Sequence, residues 1–289
     1  MNSMQFSAFK QPYWRWVFLL VFSLLLSSSF SDPRISNAGL FCGNSTGPNG
    51  TNFVPVFTTL MQGLLDLINT SHFASYSVSS TPPMYALAQC HQDLSQTDCL
   101  QCHATARTRI PRCLPSLSAR IFLDGCFLRY DNYSFFQEPV SSSLDNDSCS
   151  SNNVTAIGED NNRRVILFGR NVDYAVGNVT RIALRNGGFG TVEVDGVYAL
   201  AQCWNSVPTE GCRECLQKAA KGVRGCVPKD EGRGMNAGCY LRYSTTKFYN
   251  EGGQTEHDHG KSCHFEDSGC DYCDCFDFFL IFKNILLVS

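Results

Sequence analysis

The chain has 289 residues, 43% of them hydrophobic, which is enough to bury the cores of one to three domains. Its net charge of −3 is too mild to point to nucleic acid or to an acidic surface as partner. Sixteen cysteines exclude an ordinary structural protein of a reducing cytosol and leave either an oxidising compartment or metal sites.

The first residues favour the oxidising compartment. Lys10 and Arg15 precede an apolar run from Trp16 to Leu26, and small residues follow at Ser27, Ser28, Ser29 and Ser31. This is the layout of a signal peptide spanning 1–31, with cleavage after Ser31, and the apolar run is about half the roughly 20 residues that a bilayer span requires. Seven Asn-x-Ser/Thr sequons follow, at Asn44, Asn49, Asn69, Asn132, Asn146, Asn153 and Asn178. Behind a secretory leader they predict N-linked glycans on exposed loops.

The body of the chain is an internal repeat. Cys90, Cys99, Cys102, Cys113 and Cys126 recur 113 residues later as Cys203, Cys212, Cys215, Cys226 and Cys239. Tyr85 to Cys90 reads YALAQC, as does Tyr198 to Cys203, and GCFLRY from Gly125 returns as GCYLRY from Gly238. A duplicated domain follows. Each copy adds one upstream cysteine, Cys42 and Cys149, to make two even sets of six, as a closed disulfide framework requires. Reading Cys149 and Cys263 as seventh cysteines instead leaves copy two without a counterpart of Cys42.

In chain order, copy one begins with an apolar stripe at Phe53, Phe57, Leu60, Met61, Leu64, Leu65 and Ile68, whose spacing predicts a helix with one core face. Strands are expected at Met84–Cys90, Ala119–Leu123 and Cys126–Tyr130 and at their repeats in copy two, with a short helix between the first two. That helix starts near Ser95 or Asp98 and runs to about Arg109, and Ser95 supplies an N-cap oxygen. A Ser- and Asp-rich linker spans 139–148. In copy two the stripe is Val165, Phe168, Val172, Ala175, Val176, Val179, Ile182 and Ala183, and Thr209 is the expected cap of a helix through Cys215 to about Val223. The reading is α+β, in two tandem domains at 32–138 and 149–252, each with two helices packed on an antiparallel sheet and stapled by three disulfides. Residues 253–289 form an irregular tail.

The Cys-x8-Cys-x2-Cys spacing resembles the plant ginkbilobin-homologous domain, also called the salt-stress response/antifungal domain. The tandem arrangement, the CGNST run at Cys42 and RNGGF from Arg185 to Phe189 are most similar to ectodomains of cysteine-rich receptor-like protein kinases. Spacing alone leaves the connectivity open. The resemblance implies Cys42–Cys113, Cys90–Cys99 and Cys102–Cys126 in copy one, and Cys149–Cys226, Cys203–Cys212 and Cys215–Cys239 in copy two. The long first loop would then remove roughly 4 kcal/mol of unfolded-state entropy and the short Cys-x8-Cys loop under about 3 kcal/mol.

No catalytic signature is present: there is no Gly-x-Ser-x-Gly elbow, no His-Glu-x-x-His and no Walker loop. The Gly-rich loop, His-Arg-Asp and Asp-Phe-Gly of a kinase are also missing from the sequence. No cofactor and no metal are expected. Cys99-x2-Cys102 is half a zinc site, but no second half lies within the copy. In the tail, His257, His259, Cys263, His264, Cys270, Cys273 and Cys275 match no zinc template, and FDFFLIFKNILLVS is too short and too charged to span a bilayer. Such a tail departs from the receptors and suggests a truncated or alternatively spliced receptor end.

Two functions follow from the resemblance. One is a non-catalytic extracellular recognition module in plant stress or defence signalling, resembling a receptor ectodomain without its kinase. It would be secreted to the apoplast, or held at the plasma membrane in a longer receptor form, and its partners would be an extracellular protein or carbohydrate ligand and receptor-like kinases. The other is a mannose-binding antifungal protein whose sugar site uses an Asn, an Arg and a Glu. The matching positions are Gly43, Arg120 and Asp131 in copy one and Ser150, Arg233 and Ser244 in copy two, so that Arg120, Asp131 and Arg233 are the candidate sugar-binding residues.

Overall fold

The computed structural model describes residues 34–46, 53–154 and 161–250, so the segment read as a leader, the sequon at Asn49 and everything from residue 251 lie outside the described residues. Copy one comprises β1 (Asn37–Cys42), α1 (Phe53–Ile68), β2 (Phe73–Val78), β3 (Met84–Cys90), α2 (Gln96–Arg109), a 3-10 turn (Ile110–Cys113), β4 (Ala119–Leu123) and β5 (Cys126–Asp131). Copy two comprises β6 (Asn146–Cys149), α3 (Asn161–Arg185), β7 (Phe189–Val194), β8 (Val197–Cys203), α4 (Thr209–Arg224), β9 (Glu231–Met235) and β10 (Cys239–Ser244). The strands form two antiparallel five-stranded sheets with the same topology, β1-β4-β5-β3-β2 and β6-β9-β10-β8-β7.

The helices follow from their apolar spacing and caps. Phe57, Leu60, Met61, Leu64 and Ile68 form the buried stripe of α1. Full burial of a side chain such as Leu60 or Leu64 contributes about 1.5–3 kcal/mol before the entropy of ordering is counted. Ser95 caps α2 by accepting the Asp98 N–H at 3.1 Å. The matching expectation for Thr209 fails: Thr209 is already the first helical residue, Pro208 holds the cap position, and no side-chain cap bond forms. Ile182 also leaves its expected place, since it is 38% exposed at the margin between α3 and β7 while Val172, Val176 and Val179 are fully buried.

Along each strand the pleat sends alternate side chains to opposite faces. In β3, Met84, Ala86, Ala88 and Cys90 join the helix-side core, whereas Leu87 and Tyr85 join a different cluster. In β8, Val197, Ala199, Ala201 and Cys203 face the helices and Leu200 does not. The alanines of the repeated YALAQC therefore let helices lie close to the sheet. Gly234 of β9 serves the same end, because a Cβ there would meet the backbone of Ala219 in α4.

Six disulfides tie these layers together: Cys42–Cys113, Cys90–Cys99, Cys102–Cys126, Cys149–Cys226, Cys203–Cys212 and Cys215–Cys239. Cys99 and Cys102 thus have separate sulfur partners and do not act together as a metal clasp. Four strands were absent from the sequence reading: β1, β2, β6 and β7. Among them β6 begins at Asn146, inside the segment read as linker, and pairs with β9.

Candidate functional site

The second face of each sheet is where the polar residues of interest gather. Leu87, Phe122, Phe127 and Phe135 of copy one form a single buried cluster with Phe189, Leu200, Trp204, Met235 and Tyr240 of copy two. Each sheet is therefore covered by its own helices on one side and by the other copy on the opposite side. The packing follows a pseudo-twofold relation. Phe127 stacks on Trp204 with centroids 4.4 Å apart, and the equivalent pair, Tyr240 and His91, lies at 5.0 Å.

Polar pairs repeat the relation. The Asn205 N–H donates to Gln89 Oε1 at 2.7 Å, and the Gln92 N–H donates to Gln202 Oε1 at 3.3 Å. Gln89 and Gln202 are the glutamines of the two YALAQC runs, buried between the sheets. Arg129 and Arg242, the arginines of the two GCxLRY runs, lie over Phe135 and Phe248 at 4.0 Å from each ring centroid. At this distance the buried rings attract the cations.

Of the three candidate sugar residues, Arg120 and Asp131 are buried and Arg233 is half-buried, only Arg233 pairs across the copies, and they do not make a common open site. Arg120 is 1% exposed, with Asp145 Oδ1 3.4 Å from its Nη1. Burial, reinforced by the neighbouring Arg129, lowers its pKa to about 10. Asp131 accepts from Arg129 Nη2 at 3.0 Å, rather than from Arg120, and burial raises its pKa against the pull of Arg129. Arg233 makes a two-pronged bond to Asp124, with Nε at 2.9 Å and Nη2 at 3.0 Å, and a further pair with Glu231. Although burial opposes it, the surrounding Tyr240, Asp124 and Glu231 hold its pKa above the ordinary value. Of the remaining matching positions, Gly43 donates its N–H to Ser118 O at 2.8 Å and Ser150 bonds to Asp230.

The anchoring carboxylates reveal an asymmetry between the copies. Asp124 also accepts the Tyr240 hydroxyl at 3.0 Å and lies 3.4 Å from Arg242, so one buried acid of copy one serves three groups of copy two. The position equivalent to Asp124 is Ala237. There the interdomain segment supplies the missing acid, for Asp145 accepts the Ala237 N–H at 2.7 Å, the Ser141 N–H at 2.7 Å and the Lys218 ammonium at 2.9 Å while facing Arg120. Asp124, Asp145, Trp204 and the two glutamines were not singled out from the sequence. The period-2 pattern of YALAQC carried part of the signal, since a strand with Leu on one face and Ala on the other needs cover on both.

Asn44, Asn69, Asn146 and Asn153 are exposed, whereas Asn132 and Asn178 are half-buried. Asn178 lies within α3, and Arg181 donates to its Oδ1. Among the described residues, no group of three or more His, Cys, Asp or Glu is arranged to hold a metal ion, and no helix is long and apolar enough to cross a membrane.

The comparisons agree with this architecture. The salt stress response/antifungal family model matches residues 41–133 and 148–246, one match per copy. The chain is 51% identical over 229 residues to Arabidopsis thaliana cysteine-rich receptor-like protein kinase 42, covering 79% of this chain and 33% of that protein. It is 36% identical over 243 residues to cysteine-rich receptor-like protein kinase 2 of the same plant, covering 81% and 36%. The chain thus spans about a third of the length of these receptor kinases. Arabidopsis cysteine-rich repeat secretory protein 8 is 25% identical, with 79% of this chain and 86% of that one covered. The crystal structure of the tandem DUF26 ectodomain of Arabidopsis PDLP8 superposes with a TM-score of 0.63 at 24% identity, covering 74% of this chain and all of that one, a likeness of fold. With both repeats matched and half of its aligned residues shared with one relative, the chain belongs to the salt stress response/antifungal family, in the tandem form carried by cysteine-rich receptor-like proteins.

Proposed function

We propose that the chain is a non-catalytic extracellular recognition module, resembling a receptor-kinase ectodomain, that works in plant stress or defence signalling. The observation that carries this reading is the 51% identity over 229 residues to cysteine-rich receptor-like protein kinase 42, beside the match of both repeats of this chain to the family model. The disulfide-bonded, sheet-paired unit supports it, because a rigid two-copy body presents its outer helices and loops in fixed relation. The sequons at Asn44, Asn49, Asn69, Asn132, Asn146, Asn153 and Asn178 belong to the same proposal and would carry glycans in the secreted protein.

A mannose-binding antifungal role draws less support. Its arginines are held by Asp145, Asp124 and Glu231 between the copies, where a sugar would have to displace buried ion pairs.

The test is a chimera in which residues 32–252 replace the tandem repeat of cysteine-rich receptor-like protein kinase 42. In plants lacking that kinase, the chimera should restore the same responses that the intact kinase restores. A chimera that reaches the membrane and restores nothing would refute an equivalent recognition role.

A further inference from the structure

The helical layers of the two copies differ sharply in charge. α3 carries five arginines and one aspartate, and α4 carries four cations and two glutamates, a net of six positive charges for the pair. The helices of copy one net zero, and the whole chain is −3. The excess on copy two is therefore local and lies on one layer.

Much of it is ordered along the solvent side of α3. Arg163, Leu167, Arg170, Tyr174, Arg181 and Arg185 fall within about 60° of helical arc and extend over about 33 Å of rise. All six are exposed. Elsewhere on the layer, Arg224 pairs with Asp173, Arg213 with Glu210 and Lys218 with Asp145. Among the described residues no carboxylate pairs with Arg170, Arg181 or Arg185.

The C-terminal end of this line is concave. Arg181, Arg185, Ile182, Asn178 and Val192 of β7 line a cavity of about 300 Å³. Ile182 is the residue that leaves the core stripe, so the chain exposes a branched apolar side chain beside Arg181 and Arg185 in this cavity. An apolar floor flanked by two cations suits a pyranose ring that bears a carboxylate. The ring face packs on Ile182 and Val192, and the carboxylate accepts from the arginines in the two-pronged geometry that guanidinium favours. Two turns earlier, Tyr174 offers a second flat surface at 64% exposure.

We propose that this face of α3 binds a linear polysaccharide containing uronate residues, with one anionic ring seated between Arg181 and Arg185 and the chain running past Tyr174 and Arg170. A single small anion would leave most of the line unused. A membrane surface fits less well, because the exposed aliphatic pair Ile166 and Leu167 is confined to one end of the helix. This proposal is separate from the receptor-like role and concerns the outer face of α3 rather than the interdomain seam, so its failure leaves that role untouched.

The experiment is calorimetric titration of the secreted full chain with polygalacturonate, its methyl ester, poly-L-glutamate and phosphatidylserine vesicles. Asn178 heads a sequon within the cavity, so Asn178→Gln is titrated in parallel. Binding of polygalacturonate by either protein, with loss on esterification, is expected. Removing two partly exposed Arg–carboxylate pairs with Arg181→Glu/Arg185→Glu should weaken it at least about tenfold. Arg213→Glu/Lys221→Glu makes the same change in charge away from the line and should leave most of the binding in place. Equal weakening by both pairs, equal affinity for poly-L-glutamate, binding to vesicles alone, or no binding by either protein would each overturn the proposal.

Discussion

Replacing Asp124 by alanine tests the reading of the interdomain seam most directly. Its side chain is 7% exposed, takes both prongs of Arg233, accepts the buried Tyr240 hydroxyl and lies 3.4 Å from Arg242. Glu231 still pairs with both arginines after the change, so the charge is not wholly uncompensated. Even so, one acid then serves two cations, and the Tyr240 hydroxyl loses its acceptor inside the protein. Breaking a buried pair by deleting one member costs about 3–5 kcal/mol. At roughly 2–4 °C per kcal/mol for a unit of this size, melting should fall by about 6–20 °C in scanning calorimetry. Asp124→Asn keeps an acceptor for Tyr240 and should fall between the two. As a surface control, Arg213→Ala removes an exposed pair with Glu210 and should cost under about 1 kcal/mol. If Asp124→Ala melts within the range of that control, the acid is not the anchor that its three partners suggest.

Two further outcomes are expected. Trp204→Ala removes a 2% exposed side chain stacked on Phe127 and should cost about 3–5 kcal/mol, read as a lowered denaturation midpoint. The chain has three tryptophans, and in a protein that starts at residue 32, without Trp14 and Trp16, Trp204 fluorescence should report separation of the copies directly. Burial, and secondarily Arg107, holds the pKa of His103 down at about 4. Below its ordinary 6.5 the unfolded chain takes up a proton that the folded chain does not accept until about pH 4. Stability should therefore be full above pH 6.5 and fall by up to about 3 kcal/mol as pH drops toward 4. His91 shifts in the same direction through burial, Arg34 and Arg242, so His103→Leu should flatten the dependence only in part. A denaturation midpoint that does not change between neutral and mildly acidic buffer would refute this.

The repeat and the four helices were legible because cysteine spacing and apolar periodicity are local signals. Phe53 to Ile68 announces α1 in the sequence and forms it residue for residue. The β7–β8 hairpin was legible too and was overlooked. Val194 pairs with Val197 across Asp195 and Gly196, both with positive φ, which is the two-residue turn that an Asp-Gly pair favours. By contrast, the edge strand β6, NDSC, has no apolar alternation, and only its pairing with β9 makes it a strand. The sugar residues were placed by resemblance, a guide to position along the chain that is blind to what covers a position. Arg120 and Arg233 do point from the sheet face that the pattern implies. That this face meets another copy depends on contacts between residues more than 100 positions apart, such as Gln89 with Asn205.

The two copies are related by duplication but have not kept equivalent roles, and the acids show why. A symmetric seam would hold an aspartate at both 124 and 237. Copy two has alanine instead, and the vacated position is filled by Asp145 from the segment joining the copies, which bonds to Ala237 N–H itself. The connecting segment is thereby part of the seam as well as a tether, consistent with the whole of residues 34–250 behaving as one compact unit. Burying Arg120 and Arg233 in this seam commits to cohesion the cations that the single-domain resemblance would assign to sugar. Any ligand of the tandem chain must then be met on surfaces that pairing leaves outside, and Arg170, Arg181 and Arg185, which pair with no carboxylate among the described residues, lie on one of these, the outer face of α3.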